Sequence, residues 1–176
     1  MLIARGAAAT NGAKSPENRK PHVFLQTPFT EVGGLVSPDG RWVTYRSNES
    51  GRNEVYVRPF SGSGGKWQIS TEGGIAAAWS PKGNELFYRT GSQAEKLMVV
   101  DIQTQPTFSA GKPRLLFEAP RVAVASIGVG GADYAVSPDG QRFLMVRAQD
   151  KQQTAATQIN VVLNWFTELQ QRVPVK

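Results

Sequence analysis

The chain has 176 residues, 40% of them hydrophobic and 19% charged, which suits one globular domain or part of a larger one. It holds no cysteine, so a disulfide framework and a thiolate zinc site are excluded. Its net charge of +6 comes from Lys and Arg scattered singly, which reads as solvated surface rather than a nucleic-acid interface, and no run approaches the ~20 apolar residues that span a bilayer.

Residues 1–20 (MLIARGAAATNGAKSPENRK) show no periodicity and no apolar secretion segment, and are expected to be a disordered lead or cloning remnant. His22, Val23, Phe24, Leu25 and Gln26 follow as a short strand with no partner of its own. A four-residue signature then appears three times: SPDG at 37–40, SPKG at 80–83 and SPDG at 137–140. The step from Ser37 to Ser80 is about 43 residues, within the ~40–45 of a four-stranded propeller blade. The next step is longer by roughly 14 residues, matched by the Gly- and Ala-rich run RVAVASIGVGGAD at 121–133, and insertions of that kind are tolerated in loops between units.

Each unit has one grammar. A small apolar strand comes first (GGLVS, IAAAWS, DYAVS), and Pro with Asp or Lys and Gly makes a tight turn. The turn residues singled out are Pro38, Asp39 and Gly40, Pro81 and Gly83, and Pro138, Asp139 and Gly140. An alternating strand follows at 41–46, 84–89 and 141–146, then a third at 54–57, 97–100 and 159–163. A fourth is expected only in the first two units, at 66–70 and 114–117. From Val162 on, the residues Val162, Trp165, Phe166, Leu169 and Val173 have helix-like spacing, so 164–176 are expected to form a short helix or tail.

S-P-[DK]-G between an apolar and an alternating strand, followed by N-E-x-[YF]-V, resembles the TolB-like propeller repeats; the WD dipeptide of the related WD repeats is absent. The segments FLQTPFTEVGGLVSPDGRWVTYRSNESGRNEVYVRPF and YAVSPDGQRFLMV, with INVVLNWF, are similar to the C-terminal propeller of bacterial eukaryote-like serine/threonine kinases. That resemblance covers residues 20 to 170 or so and implies a piece of a longer protein, on the extracytoplasmic side of a bacterial inner membrane. No kinase Gly-rich loop, HRD or DFG signature occurs in the chain itself.

The fold expected is all-β: a partial β-propeller spanning 21–163, with blades at about 33–70, 75–117 and 132–163. The third blade lacks an outer strand, and His22–Gln26 is a spare one. A homodimer exchanging these strands would close a six-bladed ring.

No residue is assigned to catalysis, to a cofactor or to a metal. His22 is the only histidine, and no H-E-x-x-H, G-x-S-x-G or P-loop is present. Asp39 and Asp139 could be calcium ligands on a rim, but Lys82 takes the same place in the middle unit, which favours a turn role. Asn48-Glu49-Ser50 matches the glycosylation acceptor pattern, a tripeptide common by chance. Trp42, Trp67 and Trp165 are expected to pack between blades, whereas Trp79, on an inner strand where the other units carry valine, is the position expected to face a ligand on the axis. Two functions are weighed. One is a non-catalytic interaction or sensor module binding a protein or small ligand; the other is a propeller piece of a hydrolase or peptidase, with Ser63 or Ser126 the first candidates to try.

Overall fold

A computed structural model of the protein describes residues 2–4, 22–61, 63–119 and 134–145. Every regular element among them is a strand: β1 (Leu2–Ala4), β2 (His22–Leu25), β3 (Glu31–Val36), β4 (Trp42–Ser47), β5 (Glu54–Pro59), β6 (Trp67–Gln68), β7 (Ile75–Trp79), β8 (Glu85–Thr90), β9 (Lys96–Gln103), β10 (Ser109–Ala110), β11 (Arg114–Glu118), β12 (Tyr134–Val136) and β13 (Phe143–Met145). All pairings are antiparallel.

The first repeat folds as a meander in the order β3-β4-β5-β6. The second runs β7-β8-β9, and its outer position is shared: β10 pairs with the end of β9 at Gln103 and Ile102, and β11 with its beginning, from Val99 to Lys96. Of the third repeat the described residues show the first two strands, β12 and β13. Its expected third strand at 159–163 and the tail at 164–176 lie outside the described residues. Several antiparallel meanders in succession, each about one blade long, are consistent with a partial β-propeller.

The lead of the chain differs from expectation. Leu2–Ala4 form β1 instead of lacking structure, and they pair with β2 at Leu2↔Leu25, Ile3↔Val23 and Ala4↔His22. The strand that looked unpartnered in sequence therefore has a neighbour in its own chain, contributed from well before it. No local pattern could announce this, because a three-residue strand has no period to detect.

The sheets pack face to face, and strand alternation divides each one between two apolar layers. On β5, Val55 and Val57 face the second blade, while Tyr56 faces β2. On β8, Leu86 and Tyr88 face the first blade and Phe87 the third; on β9, Val100 and Ile102 face the first, Leu97 and Val99 the third. Among the described residues, the layer between the first two blades is the largest. There Phe108, from the loop before β10, sits 4.7 Å from the Trp42 ring and 4.8 Å from the Trp67 ring, with the two indoles edge to face at 5.5 Å. Three rings at such spacings contribute beyond their buried area.

The first strands of both complete blades carry a bulge at the same place. Pairing slips between Val32 and Leu35, and between Ile75 and Ala78. Gly33 takes φ of 73° in one bulge and Ala76 φ of 52° in the other. Glycine reaches this left-handed region freely; alanine pays about 1–2 kcal/mol for it.

Two outcomes follow from this packing. Phe108→Ala leaves a hole between two indoles and is expected to lower unfolding free energy by about 3 kcal/mol in urea titrations, the usual cost of a buried Phe→Ala change. Ala76→Gly is expected to stabilise by about 0.5 kcal/mol, since relief of the left-handed strain outweighs the ~0.5–1 kcal/mol entropic cost of glycine; a loss in the same titration would contradict the bulge reading.

Candidate functional site

The three S-P-x-G turns are built alike, and their geometry is held by the serine. Ser37 accepts from the Gly40 N–H through its carbonyl at 2.9 Å, its own N–H donates to the Trp42 carbonyl at 2.8 Å, and its hydroxyl oxygen accepts from the Trp42 N–H at 2.9 Å. Ser80 repeats this with Gly83 and Glu85, and Ser137 with Gly140 and Arg142, every bond between 2.8 and 3.1 Å. The turn glycines sit at φ of 74°, 73° and 76°, which explains why position four is glycine each time. Pro38, Pro81 and Pro138 stand second in the turn, where their fixed φ suits it.

The third position completes the hydroxyl's bonding. Ser37 Oγ donates to Asp39 Oδ1 at 2.5 Å, and Ser137 Oγ donates to Asp139 Oδ1. Where Lys82 replaces the aspartate, Ser80 Oγ finds its acceptor two residues further on, at Asn84 Oδ1, 3.1 Å away. The aspartates are thus occupied as turn acceptors. Asp39 also accepts from the Arg41 N–H at 3.1 Å and pairs with its guanidinium at 2.9 Å. Burial pulls the Asp39 carboxyl upward, but the Ser37 hydroxyl and the Arg41 donors outweigh it and hold it below the ordinary carboxylate value. Asp139 is lowered by the Ser137 hydroxyl and the Gln141 N–H.

Adjacent turns stand side by side. Gly83 lies against the Pro38 ring, and the Lys82 ammonium acts on the Asp139 carboxylate. The result is one edge of mixed charge: Asp39 with Arg41, then Lys82, then Asp139 with Arg142 at 3.7 Å. Arg41 also reaches Thr104 of the second blade at 3.3 Å.

At the opposite ends of the strands a buried carboxylate ties the two complete blades together. Glu54 is 1% exposed. It accepts from Arg52 Nε at 2.8 Å, from the Gly73 N–H at 2.9 Å and from the Ser70 hydroxyl, whose oxygen in turn accepts from the Val55 N–H at 2.8 Å. The link from β6 to β7 is thereby clamped onto β5. Arg89, fully buried, does similar work in the second blade by donating from Nε to the Ala94 carbonyl at 2.6 Å. Arg89 departs from the expectation that the basic residues are all solvated surface. Its neighbours Phe87 and Tyr88, both buried, are the signal that its strand is covered on both faces.

Trp79 requires a correction. It is 9% exposed and belongs to the layer between the first two blades, with its indole N–H donating to the Leu35 carbonyl at 3.2 Å. It cross-links two inner strands and does not face a ligand. The cause is register: its position points toward the preceding sheet, where Leu35 and Val57 leave room for an indole. His22, Val23, Phe24 and Leu25 lie in β2, with Leu25 buried against Tyr45 and Tyr56, and Gln26 follows, exposed. Ser63 is exposed, with the Ser61 hydroxyl 3.2 Å away; Ser126 lies outside the described residues.

The raised tyrosines are explained by packing. Burial pushes Tyr88 up to about 12, with the Glu54 and Glu72 carboxylates adding to it, and burial also raises Tyr45 and Tyr56. Among the described residues no group of three or more His, Cys, Asp or Glu could hold a metal ion. A shallow cavity of about 240 Å³ lies against the β12–β13 hairpin, lined by Val136, Phe143, Leu144 and their neighbours.

No protein-family profile matches the chain, and no curated protein matches it. Among solved structures it is similar to a putative TolB from Agrobacterium tumefaciens, with 20% identity over 72% of this chain and 47% of that one, at a TM-score of 0.49. It is also similar to TolB from Acinetobacter baumannii, with 13% identity over 77% of this chain and 42% of that one, at a TM-score of 0.39. The chain spans less than half the length of either.

The turn carboxylates set a direction for acid sensitivity. Both are depressed in the folded state, so their contribution is present above the ordinary carboxylate range and lost as pH falls through the folded values. The double variant Asp39→Asn, Asp139→Asn is expected to flatten the decline of the urea midpoint between about pH 5 and 2. A decline as steep as that of the unaltered chain would place the acid-sensitive groups elsewhere.

Proposed function

We propose that this chain is a non-catalytic β-propeller interaction or sensor module, a piece of a larger bacterial protein such as a receptor-like kinase, working on the extracytoplasmic side of the membrane. The observation that carries the reading is the row of turns. Each is fixed by the same serine-centred bonds, and together they hold charged side chains of both signs at one rigid edge. Fixed, mixed charge of this kind favours register and selectivity toward a protein partner of complementary pattern. The carboxylates of that edge are engaged in holding the backbone. The buried Glu54 is likewise consumed by three donors within the fold.

The competing reading is a propeller piece that belongs to a hydrolase. The full chain, treated with a fluorophosphonate probe and a panel of p-nitrophenyl esters and chromogenic peptides, is expected to show neither labelling nor turnover. Turnover that disappears in Ser63→Ala or Ser126→Ala would replace the module reading with the hydrolase one.

A further inference from the structure

The chain passes from the first blade to the second through residues 70–74, and this link is bonded to both sheets. On the first-blade side the Gly74 N–H donates to the Asn53 carbonyl at 2.9 Å, and the Gly73 N–H and the Ser70 hydroxyl donate to the Glu54 carboxylate. Arg52 bridges, donating from one nitrogen to Glu54 and from another to the Thr71 carbonyl. On the second-blade side the Thr90 hydroxyl donates to the Glu72 carbonyl at 3.1 Å. The link is closely seated, since a Cβ at Gly74 would run into the Ser70 side chain and Val55 Cγ2. The bonds at Ser70, Thr71 and Gly73 thus all depend on one carboxylate.

The second blade makes the same backbone junction without a carboxylate. Lys96 stands opposite Thr90 as Glu54 stands opposite Ser47, and the Ala119 N–H still donates to the Glu95 carbonyl at 2.7 Å, as Gly74 does to Asn53. Glu54 therefore adds something that the strand pairing does not require. The three groups bonded to it are all donors: Arg52 Nε–H, Gly73 N–H and Ser70 O–H. A carboxylate accepts from all three, whereas a carboxylic acid brings a proton that needs an acceptor of its own. Ser70 Oγ, beside it, already accepts from the Val55 N–H. Protonation thus sets donor against donor in a site that is 1% exposed, where an unmade bond is costly. The Arg52 side chain, 59% exposed, loses its counter-charge, and its hold on Thr71 goes with it as it turns to water.

We propose that Glu54 is an acid-released latch: protonation of its carboxyl frees residues 70–74 while the two sheets they join stay packed. The opening is local because the apolar layer between the blades, with Val55, Val57, Leu86 and Val100, does not pass through the link. Ile69, just before the link, also keeps its own bond to the Val55 carbonyl at 2.8 Å. The charged and titratable groups around the latch are few. Arg52 comes from the lead into β5, Glu72 from the link itself and Tyr88 from β8, where both carboxylates act on its hydroxyl. Across the sheet, Ser47 stands between Glu54 and the buried Glu31. Release loosens the connection between two blades and leaves each blade intact. This goes beyond the interaction-module reading and rests on the blade joint alone, so its failure would leave that reading standing.

Amide NMR spectra of the full, 15N-labelled chain, recorded from about pH 7 down through the ordinary carboxylate range, test this. The Val55, Gly73 and Gly74 signals are expected to move together in one acid step. Over that step the Gly73 and Gly74 amides should lose protection from hydrogen exchange, while Leu86 and Val100 keep theirs. Glu54→Gln places an amide among the same donors, so its link should be open at neutral pH and indifferent to acid. Ser70→Ala removes one donor to the charged form, so the step should shift to higher pH. Glu72→Gln should leave the step where it is. The proposal is overturned by link signals that move only when Leu86 and Val100 also unfold, by a step that survives Glu54→Gln, by one that disappears in Glu72→Gln, or by one that Ser70→Ala does not raise. Should Glu54→Gln fail to fold, the Ser70→Ala and Glu72→Gln chains still decide the matter.

Discussion

The two larger sheets of this protein are apolar on both faces, and the rest of the structure depends on that constraint. A sheet with one wet face alternates apolar and polar residues along its strands. Here β4, β5, β8 and β9 bury consecutive residues, with Val55, Tyr56 and Val57 on one strand and Leu86, Phe87 and Tyr88 on another. Such a sheet is stable only when stacked between two others. Stacking propagates from one repeat to the next, so the fold is a series in which each unit is completed by its neighbours. The exposed Val36 and Leu144 are the places where the series stops within the described residues.

Polar groups serve the same end by fixing how the sheets are joined. The serine of each S-P-x-G turn sets the hairpin between the first and second strands, and Glu54 sets the link by which one blade hands the chain to the next. The Trp79 indole adds a direct bond between inner strands. These bonds are worth roughly 1 kcal/mol each in net terms. The apolar layers contribute more, but they do not choose an angle or a register; the hydrogen bonds do. A rigid edge of mixed charge is a by-product of that registry, and it is the feature on which the functional proposal rests.

The sequence by itself determined the repeat. Alternation and the recurring S-P-x-G placed the strands of the two complete blades and the turns between their first and second strands, because strand period and turn chemistry are local properties. The substitution of Lys82 for aspartate already marked the turn as structural. Burial of both sheet faces departs from the alternation expected at 41–46 and 84–89; the signal for it is that runs such as ELFYR and EVYV hold apolar residues at adjacent positions.

Tertiary structure alone decided what met what. Trp79 looked like an axial residue from its place before the turn, but its direction relative to the preceding sheet made it a cross-link to Leu35. Arg89 is a basic residue that the sequence reading assigns to the surface, and a local partner at Ala94 allows it inside, whereas the buried Glu54 depends on Ser70 and Gly73, 16 and 19 residues away. The pairing of Leu2–Ala4 with His22–Leu25 spans a gap with no periodic signal. Asn84 replaced a missing aspartate because a hydroxyl bond depends on where an acceptor lies in space and not on its place in a motif. Local chemistry writes strands and turns into a sequence, whereas the identity of the facing sheet is set by the stacking of whole units, which no window of the sequence contains.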